Sequence, residues 1–232
     1  MVSVVLAAHN EEPFLATTVG TLVDGMRARG MEFEVIVAEN GSTDGTVAEA
    51  QRLAAGAPEV RTMSLPDPDY GAALRAGLLD ARGDTVVNFD VDYYDLDFLD
   101  RALARLAQPD SPAIVVGSKR QADSVDNRAW SRKLVTLGFT TILRVGFGLS
   151  VSDTHGMKAL RRQDVRDIAE RCRFRADLFD TELVIRCERA GLQVVDIPVE
   201  VVETRPSRTP IAKRVARSLV GLAKMRLVLW RE

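Results

Sequence analysis

Cysteine and histidine are scarce in this chain, with two of each among 232 residues. Cys172 and Cys187 are too few and too far apart for a disulfide framework or a paired-cysteine zinc site, so two free, buried thiols in a reducing cytoplasm are expected. Long hydrophobic runs are missing too, and no apolar stretch approaches the roughly 20 residues that a membrane span needs. The opening MVSVVLAAHNEE has no basic region before its apolar run and soon reaches acids, which argues against a secretory signal. A membrane would then be met only at its surface. No charge of one sign dominates, and the formal net charge of −2 argues against bulk nucleic-acid binding. GSTDGT at 41–46 lacks the lysine of a phosphate-binding loop and no GxGxxG follows any apolar run, which excludes ATPase and dinucleotide-binding readings. There is no repeat and no Pro/Gly-rich linker, so 46% hydrophobic and 28% charged residues describe one globular domain.

What is present alternates between short apolar runs and helical periods. VSVVLAA (2–8), FEVIVAE (33–39), DTVVNFD (84–90) and AIVVGS (113–118) read as buried strands, with Val60–Leu65 a weaker one. Between them, Leu15, Val19, Leu22, Val23 and Met26 recur at helical spacing after Pro13 and up to Gly30. A second helix is expected through Leu53 with Ser42 or Thr43 as its cap, a third over 70–82, and a fourth marked by Phe98, Leu99, Ala102, Leu103 and Leu106. The later part reads as a long helix over 128–149, helices over 161–172 and 178–190, and an extended strand over 193–203 with Pro198 at an edge or bend. The class is α/β, an open and mostly parallel sheet flanked by helices, whose ligands sit beyond the carboxyl ends of the strands.

One such end carries NFDVDYYD (88–95), which sets Asp90 and Asp92 one residue apart. Two like charges at that distance repel unless a cation neutralises them, and a hard divalent ion with oxygen ligands is the usual remedy. Strand alternation would put both side chains on one side, although for the bare pattern alone a solvated acidic turn is the preferred reading.

The company of this pair is more specific. VSVVLAAHNEE, VIVAENGSTDGT, YGAALRAGLLDARGDTVVNFDVD and IVVGSKR, in that order, resemble the family-2 glycosyltransferases of the GT-A fold, and among them the polyprenyl-phosphate sugar transferases of the dolichyl-phosphate mannose synthase type. GLSVSDTHGMKALRR (148–162) and FDTELVIRCERAGLQVVDIPVEVVETRPSRT (179–209) carry the resemblance to about residue 210. It implies a Rossmann-like GT-A domain over 1–210, with a nucleotide-sugar-binding half (1–118) and an acceptor half (119–210). It also implies inverting transfer of a hexose from a nucleotide-diphosphate sugar, of the GDP-mannose or UDP-glucose type, to polyprenyl phosphate or a related membrane-associated acceptor, the alternatives being a soluble hydroxyl acceptor or non-catalytic nucleotide-sugar binding. Asp90 and Asp92 would then hold Mg2+ or Mn2+ against the donor diphosphate, with Lys119, Arg132, Arg205 and Arg208 as further phosphate contacts.

The family's Pro-x-Tyr-Asn-Glu and Asp-Asp-Gly-Ser stretches correspond here to Ala7, Ala8, His9, Asn10, Glu11 and to Glu39, Asn40, Gly41, Ser42. The nucleotide-binding set implied by the resemblance is Ala7, His9, Asn10, Glu11, Glu39, Gly71 and Asp90. Glu39 is one methylene longer than the family's Asp, which leaves the base open. Tyr94 stands where relatives often carry Gln, and Asp95 reads better as a helix N-cap than as a third metal ligand.

A phosphate acceptor is already ionised and needs no general base, whereas a hydroxyl acceptor would need one. Asp153, His155, Asp180 and Glu182 are the groups able to act so; Asp153 and Glu182 are family-motif residues that orienting the acceptor or fixing loops explains equally well. Finally, residues 205–232 carry eight Lys/Arg against Glu232 alone. Within 211–232, Ile211, Val215, Leu219, Leu222, Met225 and Leu229 make one apolar face of a basic amphipathic helix. Such a helix suits peripheral contact with an anionic membrane, and packing on its own core or on a dimer partner is the alternative.

Overall fold

The strand order of the sheet is β3 (Val60–Leu65), β2 (Phe33–Asn40), β1 (Val2–Ala8), β4 (Thr85–Asp90), β6 (Lys158–Arg161), β5 (Ile114–Ser118) and β7 (Val194–Pro198), and its interior strands are buried on both sides. A computed structural model of the chain describes residues 1–118, 138, 141–151, 154, 156–176, 178–199 and 211–231, with side chains in the last segment from Ser218 onward. Lys119, Arg132, Asp153, His155, Arg205 and Arg208 lie outside the described residues, as does most of the helix expected over 128–149, of which 141–147 is described and helical.

The first half is the expected succession of strand and helix: β1 (Val2–Ala8), α1 (Glu12–Ala28), β2 (Phe33–Asn40), α2 (Thr46–Gly56), β3 (Val60–Leu65), α3 (Tyr70–Asp80), β4 (Thr85–Asp90), α4 (Leu96–Leu106) and β5 (Ile114–Ser118). β1, β2 and β4 run parallel and pair Val4 with Val35 and with Val87. Such strands are covered on both faces, so their near-continuous Val/Ile/Leu/Phe runs follow from their position. α1 begins with a proline in its first turn and ends before Gly30, whose φ of 64° is the left-handed stop a glycine permits. The α2 expectation needs correction: neither Ser42 nor Thr43 caps the helix. It starts after Gly45, and Asp44 accepts from the Thr46 amide instead, because Ser42 is turned towards the β1 loop.

The second half contains β6 (Lys158–Arg161), α5 (Arg162–Arg171), α6 (Leu178–Arg189), β7 (Val194–Pro198) and α7 (Ile211–Trp230). β6 was not expected from the sequence. It inserts antiparallel between β4 and β5, pairing Asn88 with Lys158 and Val116 with Lys158, so the sheet is mixed at this point. β7 lies parallel beside β5 at the sheet edge, where Pro198 costs no interior hydrogen bond.

Two cores sandwich the sheet. On one face α1, α2 and α4 bury Leu15, Leu22, Ala50, Phe98 and Leu99 against Val4, Leu6 and Phe89. On the other, α3, α5, α6 and α7 bury Leu74, Ile168, Phe179, Leu183 and Met225 against Val5, Ile36 and Val86. Each such aliphatic or aromatic side chain contributes about 1.5–3 kcal/mol on transfer from water. Cys172 and Cys187 are free and buried in this second core, and burial pushes both thiols above the usual range, Cys187 to about 12. Gly221 of α7 sits directly against Leu178 of α6, and Leu222, Met225 and Leu229 are buried there, so these three residues of the expected membrane face are occupied by the domain's own core.

Candidate active site at the carboxyl edge of the sheet

The strand order runs outward as β1-β2-β3 on one side and continues through β4 on the other, so the topology reverses between β1 and β4. In open α/β sheets the crevice beyond the carboxyl ends at such a reversal is where ligands sit. Ala7 of β1 is in register with Asp90 of β4, and Ala8 with Glu39 of β2. The residues singled out at three separate points of the sequence therefore share one edge.

The loops leaving β1 and β2 are stitched together. Asn10 has a φ of 56°; its amide donates to Ser42 Oγ (3.0 Å) and its side-chain oxygen accepts from the Thr43 amide (2.8 Å). His9 Nδ1 lies 2.8 Å from the Asn40 carbonyl and so must donate, leaving Nε2 to accept from the Asn10 amide group at 3.3 Å. The Glu11 amide donates to Thr46 Oγ1 (2.8 Å). Glu39 is buried and its Oε1 accepts from the Ser42 amide at 2.5 Å, so the extra methylene lets this carboxylate brace its own loop. Gly41, at φ 61°, is needed because a Cβ would come within 2.7 Å of the Pro68 nitrogen.

Asp90 closes β4 and the chain turns at once: the Asp90 and Tyr93 backbones exchange hydrogen bonds of 3.1 and 3.2 Å, and Val91 between them is buried. Asp92 is therefore the exposed tip of a tight turn, and strand alternation is not what relates it to Asp90. The pair still interact. Burial raises the Asp90 pKa above its ordinary value; the Tyr70 hydroxyl, which donates to Oδ1 at 2.7 Å, opposes that rise, while Asp92 and Asp180 add to it and Lys158 counters them. A partly buried carboxylate with another acid beside it is a donor set that fits a hard divalent cation. No cluster of three or more His, Cys, Asp or Glu suited to a metal occurs among the described residues. Asp95 caps α4 by accepting from the Asp97 amide, as the sequence suggested.

Behind Asp90 lies a group that the sequence reading passed over. Lys158 is fully buried at the start of β6; its Nζ donates to Asp180 Oδ1 (3.1 Å) and to the Gly156 carbonyl (3.0 Å), which also accepts from Asn88 at 3.3 Å. Asp180 is thus tied up internally. Glu182 is fully buried too: one oxygen accepts from the amides of Arg173 and Phe174, both at 2.7 Å, and the other from Arg186 at 2.8 Å. It fixes the 172–176 loop. That loop meets α3 at Asp69, the α3 N-cap, which accepts from the amides of Ala72 and Ala176. Gly71 is explained by the same approach: a Cβ there would stand 2.5 Å from the Ala176 carbonyl oxygen and 2.7 Å from Phe179 Cβ. The space beside its Cα is filled by protein, and this loop packs closely against α3 there.

The sheet order and the carboxyl-edge acids define the class as a GT-A nucleotide-sugar transferase fold. It superimposes on glucosyl-3-phosphoglycerate synthase from Mycobacterium tuberculosis, crystallised with Mn2+, UDP-glucose and phosphoglyceric acid, with a TM-score of 0.70 at 22% identity, covering 97% of this chain and 79% of that one. Residues 3–169 match glycosyl transferase family 2, and the chain belongs to that family. Glycosyltransferase AglD of Haloferax volcanii is 30% identical over 99% of this chain, which spans 37% of that relative. Dolichyl-phosphate beta-glucosyltransferase ALG5C of Trichomonas vaginalis is 28% identical over 97% of this chain and 72% of its own length.

Proposed function

We propose that this glycosyltransferase moves a hexose, with inversion and with Mg2+ or Mn2+, from a nucleotide-diphosphate sugar to polyprenyl phosphate. The observation that carries the reading is Asp90: a partly buried carboxylate held by Tyr70 at the β1/β4 reversal, with Asp92 on the adjoining turn. These two residues would hold the ion, which supplies positive charge to the diphosphate as the bond to the anomeric carbon breaks. The stitched loops 9–12 and 40–46, with His9, Asn10 and Glu11, form the floor for the nucleoside. Lys119, Arg132, Arg205 and Arg208 complete the phosphate contacts by their places in the family pattern, and Asp153 orients the acceptor. The dolichyl-phosphate beta-glucosyltransferase relatives favour glucose over mannose, and UDP-glucose is the donor crystallised with glucosyl-3-phosphoglycerate synthase.

A phosphate acceptor is favoured over a hydroxyl because of what the described carboxylates are doing. Asp180 is paired with Lys158, and Glu182 is saturated by Arg186 and two amides, so neither is placed to take a proton from an alcohol. An ionised phosphate needs no such group. In this reading the protein works as a peripheral enzyme on the cytoplasmic face of a membrane, alone or as a homodimer.

The test supplies radiolabelled UDP-glucose or GDP-mannose, Mn2+ and polyprenyl phosphate in detergent, and follows label into organic solvent. Metal-dependent partition of label that is lost in Asp92→Ala is expected. Label appearing only on water-soluble alcohols, or donor binding with no transfer to either acceptor, would overturn the proposal.

A further inference from the structure

The helix α7 has two apolar sides, and only one of them is used within the domain. Gly221, Leu222, Met225 and Leu229 form the side that packs on α6, where the Arg189 guanidinium also donates to the Leu229 carbonyl at 2.8 Å. The opposite side carries Leu219 (43% exposed), Val220 (57%), Leu227 (56%) and Trp230 (77%), with Ala223 also exposed between them. At 100° per residue these five fall in one stripe roughly a third of the helix circumference wide. Single exposed leucines are ordinary, but an ordered outward stripe ending in a tryptophan is not what a solvated helix face requires.

The charge around the stripe is of one sign. Residues 211–231 contain Lys213, Arg214, Arg217, Lys224, Arg226 and Arg231 and no Asp or Glu. Lys224 and Arg226 are exposed and flank the stripe on its two sides. The Arg226 guanidinium lies 5.9 Å from the centroid of the Phe147 ring, which joins α7 to the helical segment 141–147. That segment adds Ile142 (40% exposed) and Val145 (85%) to the outward apolar surface.

We infer that this surface docks on an anionic bilayer, with Leu219, Val220, Leu227 and Trp230 entering the headgroup region and the flanking Lys and Arg side chains meeting lipid phosphates. A lipid surface satisfies both halves of the pattern, because an apolar stripe wants the acyl boundary while an all-basic border wants negative headgroups. Tryptophan at the end of the stripe suits that boundary, since its ring is apolar and its N–H still finds a polar partner. The face is the reverse of the one that helical periodicity alone selects: Leu222, Met225 and Leu229 anchor the helix to the protein and so hold the other side outward. The inference takes its purpose, though not its observations, from the lipid-linked acceptor reading.

The experiment is co-flotation of the whole protein with phosphatidylcholine vesicles with and without phosphatidylglycerol and free of polyprenyl phosphate. Wild type is expected to float with anionic vesicles and far less with neutral ones. Leu227→Glu/Trp230→Glu should lose at least tenfold of the bound fraction while keeping the wild-type melting temperature, since both side chains point to solvent. Leu222→Ala should show the converse, a lowered melting temperature with flotation retained at low temperature. Absence of wild-type flotation, or flotation unchanged in the double variant, overturns the inference. So does a concentration-dependent dimer of the wild type that the double variant abolishes without any vesicle binding, since a second copy would then own the face. Transfer in detergent separates the two readings: activity there without flotation defeats only the docking surface, and flotation without transfer defeats only the acceptor assignment.

Discussion

Replacing Lys158 with methionine perturbs the least expected feature of the molecule. The ammonium is fully buried, 3.1 Å from Asp180 Oδ1, and Asp180 itself is only 4% exposed. Methionine fills a similar volume, so the change removes charge more than packing and leaves one carboxylate in the core without its cation. Breaking a buried pair on one side costs about 3–5 kcal/mol. For a domain of this size each kcal/mol moves the melting temperature by roughly 2–4 °C, so a fall of about 6–20 °C is expected by circular dichroism. The decisive comparison is the double variant Lys158→Met/Asp180→Leu. Replacing both charges with apolar groups is often close to neutral, so the double variant should recover most of the loss. A single variant that melts within about 2 °C of wild type, or a double variant no more stable than the single, would refute the reasoning. Beyond stability, Lys158 counters the Asp180 charge at Asp90, so the rescued double variant, which lacks both, should still bind Mn2+ through Asp90 and Asp92.

Four further outcomes follow from other sites. Burial raises the Asp90 pKa, so its favourable contribution is present below the unfolded value and is lost as pH rises through the folded one; Asp90→Asn should melt above wild type at neutral pH in metal-free buffer and lose that advantage in acid. Burial alone would raise Glu34, but Arg61, Ser3 and the Arg82 amide hold it below its ordinary value. Its stabilisation is therefore present above the unfolded pKa and lost as pH falls through the folded one, and Glu34→Gln should cost about 1–3 kcal/mol at pH 7 with a flatter acid limb in urea titrations. Gly71→Ala drives a methyl into the Ala176 carbonyl and Phe179, so a loss of about 1–3 kcal/mol is expected together with weaker donor binding, because the Tyr70 support of Asp90 begins at the same helix end. Asp92→Ala, on an exposed turn, should leave the melting temperature nearly unchanged while abolishing the Mn2+-dependent thermal shift given by UDP-glucose.

The strands that proved readable are those buried on both faces in register with one another. Val2–Ala8, Phe33–Asn40 and Thr85–Asp90 are apolar because parallel neighbours and helices cover them entirely, and that leaves a direct mark on composition. α1 and α4 were equally plain, since Leu22, Met26, Phe98 and Ala102 recur at the helical period that one packed face imposes. The order of the family motifs pointed to the carboxyl edge that the register of Ala7 with Asp90 now describes. What composition does not carry is a site made by pairing across the chain. β6 is short and begins with a lysine, a residue that argues for solvent until the partner Asp180, 22 positions later on a different element, is brought against it.

The same principle applies to Gly71 and Glu182, whose neighbours in the fold the sequence does not display. A bare backbone at Gly71 and a carboxylate at Glu182 are features that a ligand contact and a tight internal contact can both employ. Only the neighbours distinguish them: Ala176 and Phe179 occupy the space beside Gly71, and Arg173, Phe174 and Arg186 use up the oxygens of Glu182. Both residues converge on the 172–176 loop, which is joined through Asp69 to the helix end bearing Tyr70, and Tyr70 in turn holds Asp90. The 172–176 loop and the acid at the strand end are thus mechanically one unit. A change that loosens Glu182 should therefore weaken metal-dependent donor binding without altering any group that touches the donor, a link that no local pattern in the sequence could express.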